Sequence, residues 1–121
     1  MVETYGLTHI GLAVGDVERS FRFYARVFGA REIWRGPGEI QIQTPGARDV
    51  IALSEGEGTP GQMGGVTHFG FRLRDPADLD ATVQSVEVAG GTILERGEFV
   101  PGEPYVFVAV PDGYRVEIWY E

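Results

Sequence analysis

The sequence predicts an α+β chain built from two paired βαβββ modules, and three observations carry that expectation. The string Leu7-Thr8-His9-Ile10-Gly11-Leu12-Ala13-Val14-Gly15-Asp16 recurs as Val66-Thr67-His68-Phe69-Gly70-Phe71-Arg72-Leu73-Arg74-Asp75. Each copy is followed by the same pattern, one helical stretch and then three short strand-like runs. Between the copies lies Glu55 to Gly65, with five glycines and a proline, a connector rather than an element.

The elements follow in order. Residues 7 to 14 alternate with period two and read as a strand; Asp16 can then cap a helix whose Val17, Phe21, Tyr24 and Phe28 share one face. Gly29 stops that helix. Arg31 to Arg35, Glu39 to Thr44 and Asp49 to Ser54 read as strands, separated by Gly36-Pro37-Gly38 and Pro45-Gly46. The first module therefore spans about residues 5–55, and Glu55 with Glu57 reads as the start of a solvated loop. The second module, about 65–121, repeats the order. A strand over 66–73 leads to Asp75 as cap and Pro76 as first helical residue, with Leu79, Val83 and Val86 on one face and Gly90-Gly91 as the stop. Strands near 92–99, 105–110 and 114–120 complete it, the last two joined by the turn Pro111-Asp112-Gly113.

Composition narrows the partners. In 121 residues, 43% of them hydrophobic, there is one domain's worth of core, and a half of about sixty residues is marginal alone. The halves must share a core, within the chain or with a second copy. A formal charge of -8, with ten arginines and no lysine, argues against nucleic acid or anionic membrane as a partner. With no cysteine, a metal could be held only by imidazole, carboxylate, carbonyl or water. The sequence shows neither a signal-like N-terminus nor an apolar run of membrane-spanning length, so a soluble, cytoplasmic protein is expected.

Strand parity then points to a site. In the first strand Ile10, Leu12 and Val14 form the side that packs on helices, leaving His9, Gly11 and Ala13 on the other; in the second copy His68, Gly70 and Arg72 lie opposite Phe69, Phe71 and Leu73. The only two histidines of the chain thus fall at equivalent positions on the face away from the helices. The glycine two residues after each should keep the surface beside it open. On the last strand Glu117 faces the same way, which is costly unless it is paired or bound to a cation. A lone strand histidine is usually structural, and Glu117 alone could pair with Arg72. Jointly, His9, His68 and Glu117 make a two-histidine, one-carboxylate set suited to a divalent ion: Fe, Mn, Ni or Zn. The repeat-equivalent of Glu117 is Ala52, so no fourth ligand stands there.

Other side chains of that face would line the pocket. Trp34, Phe107 and Trp119, with Tyr105, give flat walls suited to a planar substrate, or they pack a dimer core. Arg72 and Arg115 could bind a substrate carboxylate or enolate, or neutralise Glu117; Gln41 and Gln43 offer neutral hydrogen bonds. Tyr105 and Arg72 are the candidate catalytic groups.

The run Thr8-His9-Ile10-Gly11-Leu12-Ala13-Val14-Gly15-Asp16, with Ser20-Phe21-Arg22-Phe23-Tyr24, Val27-Phe28-Gly29, Thr67-His68-Phe69-Gly70 and Pro111-Asp112-Gly113-Tyr114-Arg115-Val116-Glu117, resembles the vicinal oxygen chelate superfamily. That group includes glyoxalase I, extradiol dioxygenases, fosfomycin-resistance enzymes, methylmalonyl-CoA epimerase and bleomycin-resistance proteins. The resemblance covers nearly the whole chain. It implies a cupped mixed sheet with helices outside, one divalent ion held by His9, His68 and Glu117, a small-molecule substrate, and a homodimer whose cups combine modules of two chains. Ala52 departs from glyoxalase I and the epimerase, whose members carry Glu or Gln there for proton transfer. Phe107 departs from the dioxygenases and fosfomycin enzymes, which typically have tyrosine at that position; Tyr105 lies two residues away on the same face. Two functions stay open: a metal-dependent dioxygenase, lyase or transferase, and a small-molecule sequestration protein of the bleomycin-resistance type.

Overall fold

Each copy of the repeated string opens a mixed four-stranded sheet. The structure, a computed structural model, describes residues 1, 3–56 and 58–121; Glu57 lies outside the described residues. The first module runs β1 (His9–Ala13), α1 (Val17–Phe28), β2 (Arg31–Gly36), β3 (Glu39–Gln43) and β4 (Val50–Ser54). The second runs β5 (Phe69–Arg72), a 3₁₀ turn (Pro76–Asp78), α2 (Leu79–Val88), β6 (Thr92–Glu98), β7 (Pro104–Ala109) and β8 (Arg115–Trp119). The sheet orders are β1-β4-β3-β2 and β5-β8-β7-β6. In each, the first strand pairs in parallel with the last, and the other pairs are antiparallel. The paired βαβββ architecture is therefore as expected, each module forming its own hydrogen-bonded sheet. β1 and β5 are edge strands of their respective sheets.

Helix α1 begins where Asp16 accepts a hydrogen bond from the Arg19 N–H at 3.0 Å, and that bond holds the Asp16 carboxyl below its ordinary range. It ends at Gly29 in the left-handed region, φ 68°, where only glycine sits without strain. Its buried face is Val17, Ser20, Phe23 and Tyr24, which keeps Val17 and Tyr24 of the predicted stripe and adds Ser20 and Phe23, while Phe21 and Phe28 are half-buried against the core. In the second module the expected cap at Asp75 forms, accepting from the Ala77 N–H at 2.9 Å, but Pro76 leads into the 3₁₀ turn and α2 starts only at Leu79. The strand expected over 66–73 shortens to Phe69–Arg72, so His68 lies just before it.

One core joins the halves. Leu12, Tyr24, Ile40, Ile42 and Leu53 of the first module and Leu79, Val86, Val106, Val116 and Ile118 of the second belong to a single buried cluster, each such side chain contributing about 1.5–3 kcal/mol through burial. Phe28 stacks on Phe71 across the modules, ring centroids 3.8 Å apart. The connector is anchored as well: Glu55, expected in a solvated loop, accepts the Val17 N–H at 2.9 Å and helps cap α1. No helix among the described residues is long and apolar enough to cross a membrane.

Candidate metal centre

With one face of every strand but β2 spent on this core, the opposite faces carry the chemistry. On the second sheet the register sets Gly70 opposite Glu117 and Glu117 opposite Phe107. One pair further, Arg72 meets Trp119 and Trp119 meets Tyr105. His68, one residue before β5, extends this face beside Arg115. Its Nε2 lies 3.4 Å from Oε2 of Glu117. On the other side of the ring, the Thr67 hydroxyl is 3.0 Å from Nδ1, and Phe107 meets the imidazole edge-on at 5.2 Å. The Glu117 side chain is only 16% exposed, as the parity argument required.

The two glycines that follow the histidines differ. A Cβ on Gly11 would meet nothing within 4 Å, whereas one on Gly70 would lie 2.5 Å from Cζ3 of Trp119. The expectation of an open floor therefore holds at Gly11 and fails at Gly70, because the Trp119 ring occupies that space. Trp34 folds over Gly36 in the same way and Tyr105 over Gly97. These two glycines occupy matching places at the β2 and β6 edges, so both sheets floor an aromatic ring with a residue lacking Cβ.

Arg72 does not neutralise Glu117; its nearest carboxylate is Glu121, at 3.7 Å. Arg115 lies over the Phe107 ring, 5.2 Å from its centroid. Tyr105 stacks on Phe99 at 4.4 Å and stands edge-on to Phe107 at 5.8 Å. On the first sheet, the corresponding face carries His9, Gln43, Gln41 and, across a bulge, Trp34, which is half exposed. Gln41 donates to Glu39 at 3.2 Å, and Ala52 is buried.

His9 and His68 line one cleft of about 320 Å³ between the β1 and β5 edges. Among the described residues, however, no three metal-ligating side chains gather within the chain. Two of the three expected ligands thus come together and the third, exposed His9, does not join them. The half-site fits a divalent ion: an imidazole nitrogen and a carboxylate oxygen converge, and the Thr67 hydroxyl fixes the ring orientation from the far nitrogen, as second partners of metal-bound histidines do. Thr67 escaped the sequence reading, although the repeat displays it, since Thr8-His9 and Thr67-His68 match.

Comparison with known proteins agrees with this architecture. Residues 6–118 match the family described as the Glyoxalase/Bleomycin resistance protein/Dioxygenase superfamily. A manganese-dependent 2,3-dihydroxybiphenyl 1,2-dioxygenase of Geobacillus genomosp. 3 is 27% identical over 115 residues, 93% of this chain, which spans only 36% of that protein. A probable lactoylglutathione lyase of Vibrio parahaemolyticus is 31% identical over 123 residues, covering 93% of this chain and 88% of its own. The crystal structure of a glyoxylase/bleomycin resistance protein/dioxygenase domain from Frankia sp. EAN1pec superimposes with a TM-score of 0.81 at 25% identity, covering 98% of each chain. The repeat, the sheet order and these matches converge: the chain belongs to the glyoxalase/bleomycin resistance protein/dioxygenase superfamily.

Proposed function

We propose that this chain is a divalent-metal-dependent enzyme acting on a small, planar substrate with two adjacent oxygens, in a homodimer whose sites each take His9 from one chain and His68 with Glu117 from the other. The carrying observation is the approach of His68 to Glu117, 3.4 Å apart on the face that no helix covers. The exposed position of His9 and the two edge strands beside the shared cleft support the cross-chain arrangement. So do the exposed apolar residues Leu7, Met63 and Val66 around those edges, which a second copy would cover.

A bound ion would supply Lewis-acid stabilisation of developing oxyanion charge. The chain's own residues do the rest. Phe107 and Trp119 wall the site and exclude water, Gln41 and Gln43 offer hydrogen bonds from the first sheet, and Arg72 and Arg115 offer positive charge. Ala52 cannot move a proton; Tyr105, on the same face two residues from Phe107, is the candidate for that role, and because its hydroxyl rests over Gly97 it must turn toward the site to act. Metal analysis of protein purified without chelator tests the reading. Stoichiometric Mn, Fe, Ni or Zn in the wild type and its loss in His68→Ala are expected; equal, trace metal in both would end it.

The aromatic lining and Ala52 also favour a second reading, sequestration of a planar compound without turnover. Thermal shifts with catechols and aromatic antibiotics separate the two: stabilisation that persists in a His9→Ala, His68→Ala double mutant supports sequestration.

A further inference from the structure

We infer that the ligand of this site carries a carboxylate or similar oxyanion, and that Arg115 is the residue that selects it. The inference deepens the metal-centre reading by naming the substrate class, and it rests on that reading only for where the rest of the substrate lies. Four observations carry it.

Arg115 has a buried Nε with no hydrogen-bond partner among the described residues. Leaving such a donor unsatisfied costs about 1–3 kcal/mol, and a guanidinium can satisfy it only with an acceptor. The chain does not lack acceptors, for it has 18 acidic residues against 10 basic ones. Arg19, Arg35, Arg72 and Arg96 each have a carboxylate within ion-pair distance; of the arginines without one among the described residues, Arg115 is the one whose guanidinium also holds a buried, unpartnered nitrogen. An arginine that is both unpaired and partly desolvated is kept available for a charge that comes from outside.

The repeat provides an internal control. Matching β8 to β4 sets Glu117 against Ala52 and Arg115 against Val50, so the module folds with an aliphatic residue at this place. The fold does not require the arginine. Its position is also set: the guanidinium lies over Phe107 at 5.2 Å, and Phe107 in turn touches the ring of His68. Finally, Arg115, Thr67 and His68 border a cavity of about 200 Å³ closed on one side by the stretch Gly61–Gly64. A small anionic group fits there, within one side chain of the candidate metal ligands, and the guanidinium fork matches two carboxylate oxygens. The ligand class is thus a small planar acid whose carboxylate reaches Arg115 while its vicinal oxygens lie toward the ion that His68 and Glu117 would hold.

Isosteric probe pairs test this with and without metal. In the first arm, calorimetry compares benzoate with benzamide on the metal-free protein; in the second, 2,3- and 3,4-dihydroxybenzoate are compared with their amides on the Mn(II)-loaded protein. Wild type should bind the acid of at least one pair roughly ten- to a hundredfold more tightly than its amide, the span of one charge-assisted hydrogen bond. Arg115→Gln should abolish that difference, and Arg115→Lys should keep part of it, which sets aside a variant that has merely misfolded. Acid and amide binding alike in every pair, or a preference that survives in Arg115→Gln, overturns the inference. Failure of the metal-centre reading looks different: the acid preference persists in the first arm, while Mn(II) adds nothing to the dihydroxy probes in the second.

Discussion

Asp112 and Arg19, 93 residues apart in the chain, meet at 2.7 Å and tie the turn between β7 and β8 to the first turn of α1. The same carboxylate accepts the Gly15 N–H at 3.0 Å and the Ser20 hydroxyl at 2.7 Å. It is almost wholly buried, its side chain 4% exposed. A turn residue of the second module thus satisfies donors at the helix start of the first, beside the β1 strand that carries His9.

Asp112→Ala should therefore destabilise the protein by about 1–3 kcal/mol, because the hydrogen bonds of a buried carboxylate are lost, the one from the buried Ser20 hydroxyl among them, and Asp112→Asn should cost less. The check is chemical denaturation with both variants. A loss below about 0.5 kcal/mol, typical of an ordinary surface substitution, would show that the contact does not hold the modules together.

Tyr24 presents the opposite case. Its hydroxyl is buried without a partner among the described residues. Burial, with Asp112 and Tyr114 adding, pushes its ionisation well above the ordinary value of 10.0. Tyr24→Phe removes an unsatisfied group and should be neutral or stabilising by up to about 1 kcal/mol at pH 7. The sign at high pH follows from linkage. A raised folded value means the unfolded chain releases the proton first, so stability is intact below pH 10.0 and falls as pH rises beyond it. The advantage of Tyr24→Phe should thus grow between pH 9 and 11 in paired denaturation curves; an advantage that shrinks would contradict this environment.

The repeat-equivalent glycines should respond unequally. A methyl group at Gly70 collides with the Trp119 ring and sits 3.0 Å from the Glu117 carbonyl oxygen, so Gly70→Ala should cost about 1–3 kcal/mol and weaken metal binding by displacing β8. Gly11→Ala enters open space and should change stability by less than about 0.5 kcal/mol. Equal effects in thermal melts and metal titrations would show that Trp119 does not depend on Gly70.

Much of this was legible from the residues. Period-two alternation assigns Ile10, Leu12, Phe69 and Phe71 to the helix side and His9, His68 and Glu117 to the other, because a strand has only two faces and one must be dry. Caps at Asp16 and Gly29 are local and equally readable. What escaped depends on contacts distant in sequence: Asp112 looked like a turn residue, Glu55 like a solvated acid, and the Trp119 ring over Gly70 follows from a rotamer that periodicity cannot convey. The widening of the α1 stripe to Phe23 has the same origin, since a helix packed between its own sheet and α2 buries more than one narrow stripe.

Subunit complementation tests the central claim, a metal centre shared between two chains. His9→Ala and Glu117→Ala chains, each unable to hold the ion alone, are unfolded together, refolded, and the mixed dimers isolated by differential tags. Each mixed dimer should contain one intact site and one doubly damaged site, and so bind half the divalent ion of the wild-type dimer. Mixed dimers that form and bind no more metal than either parent would place all three ligands in one chain and contradict the arrangement.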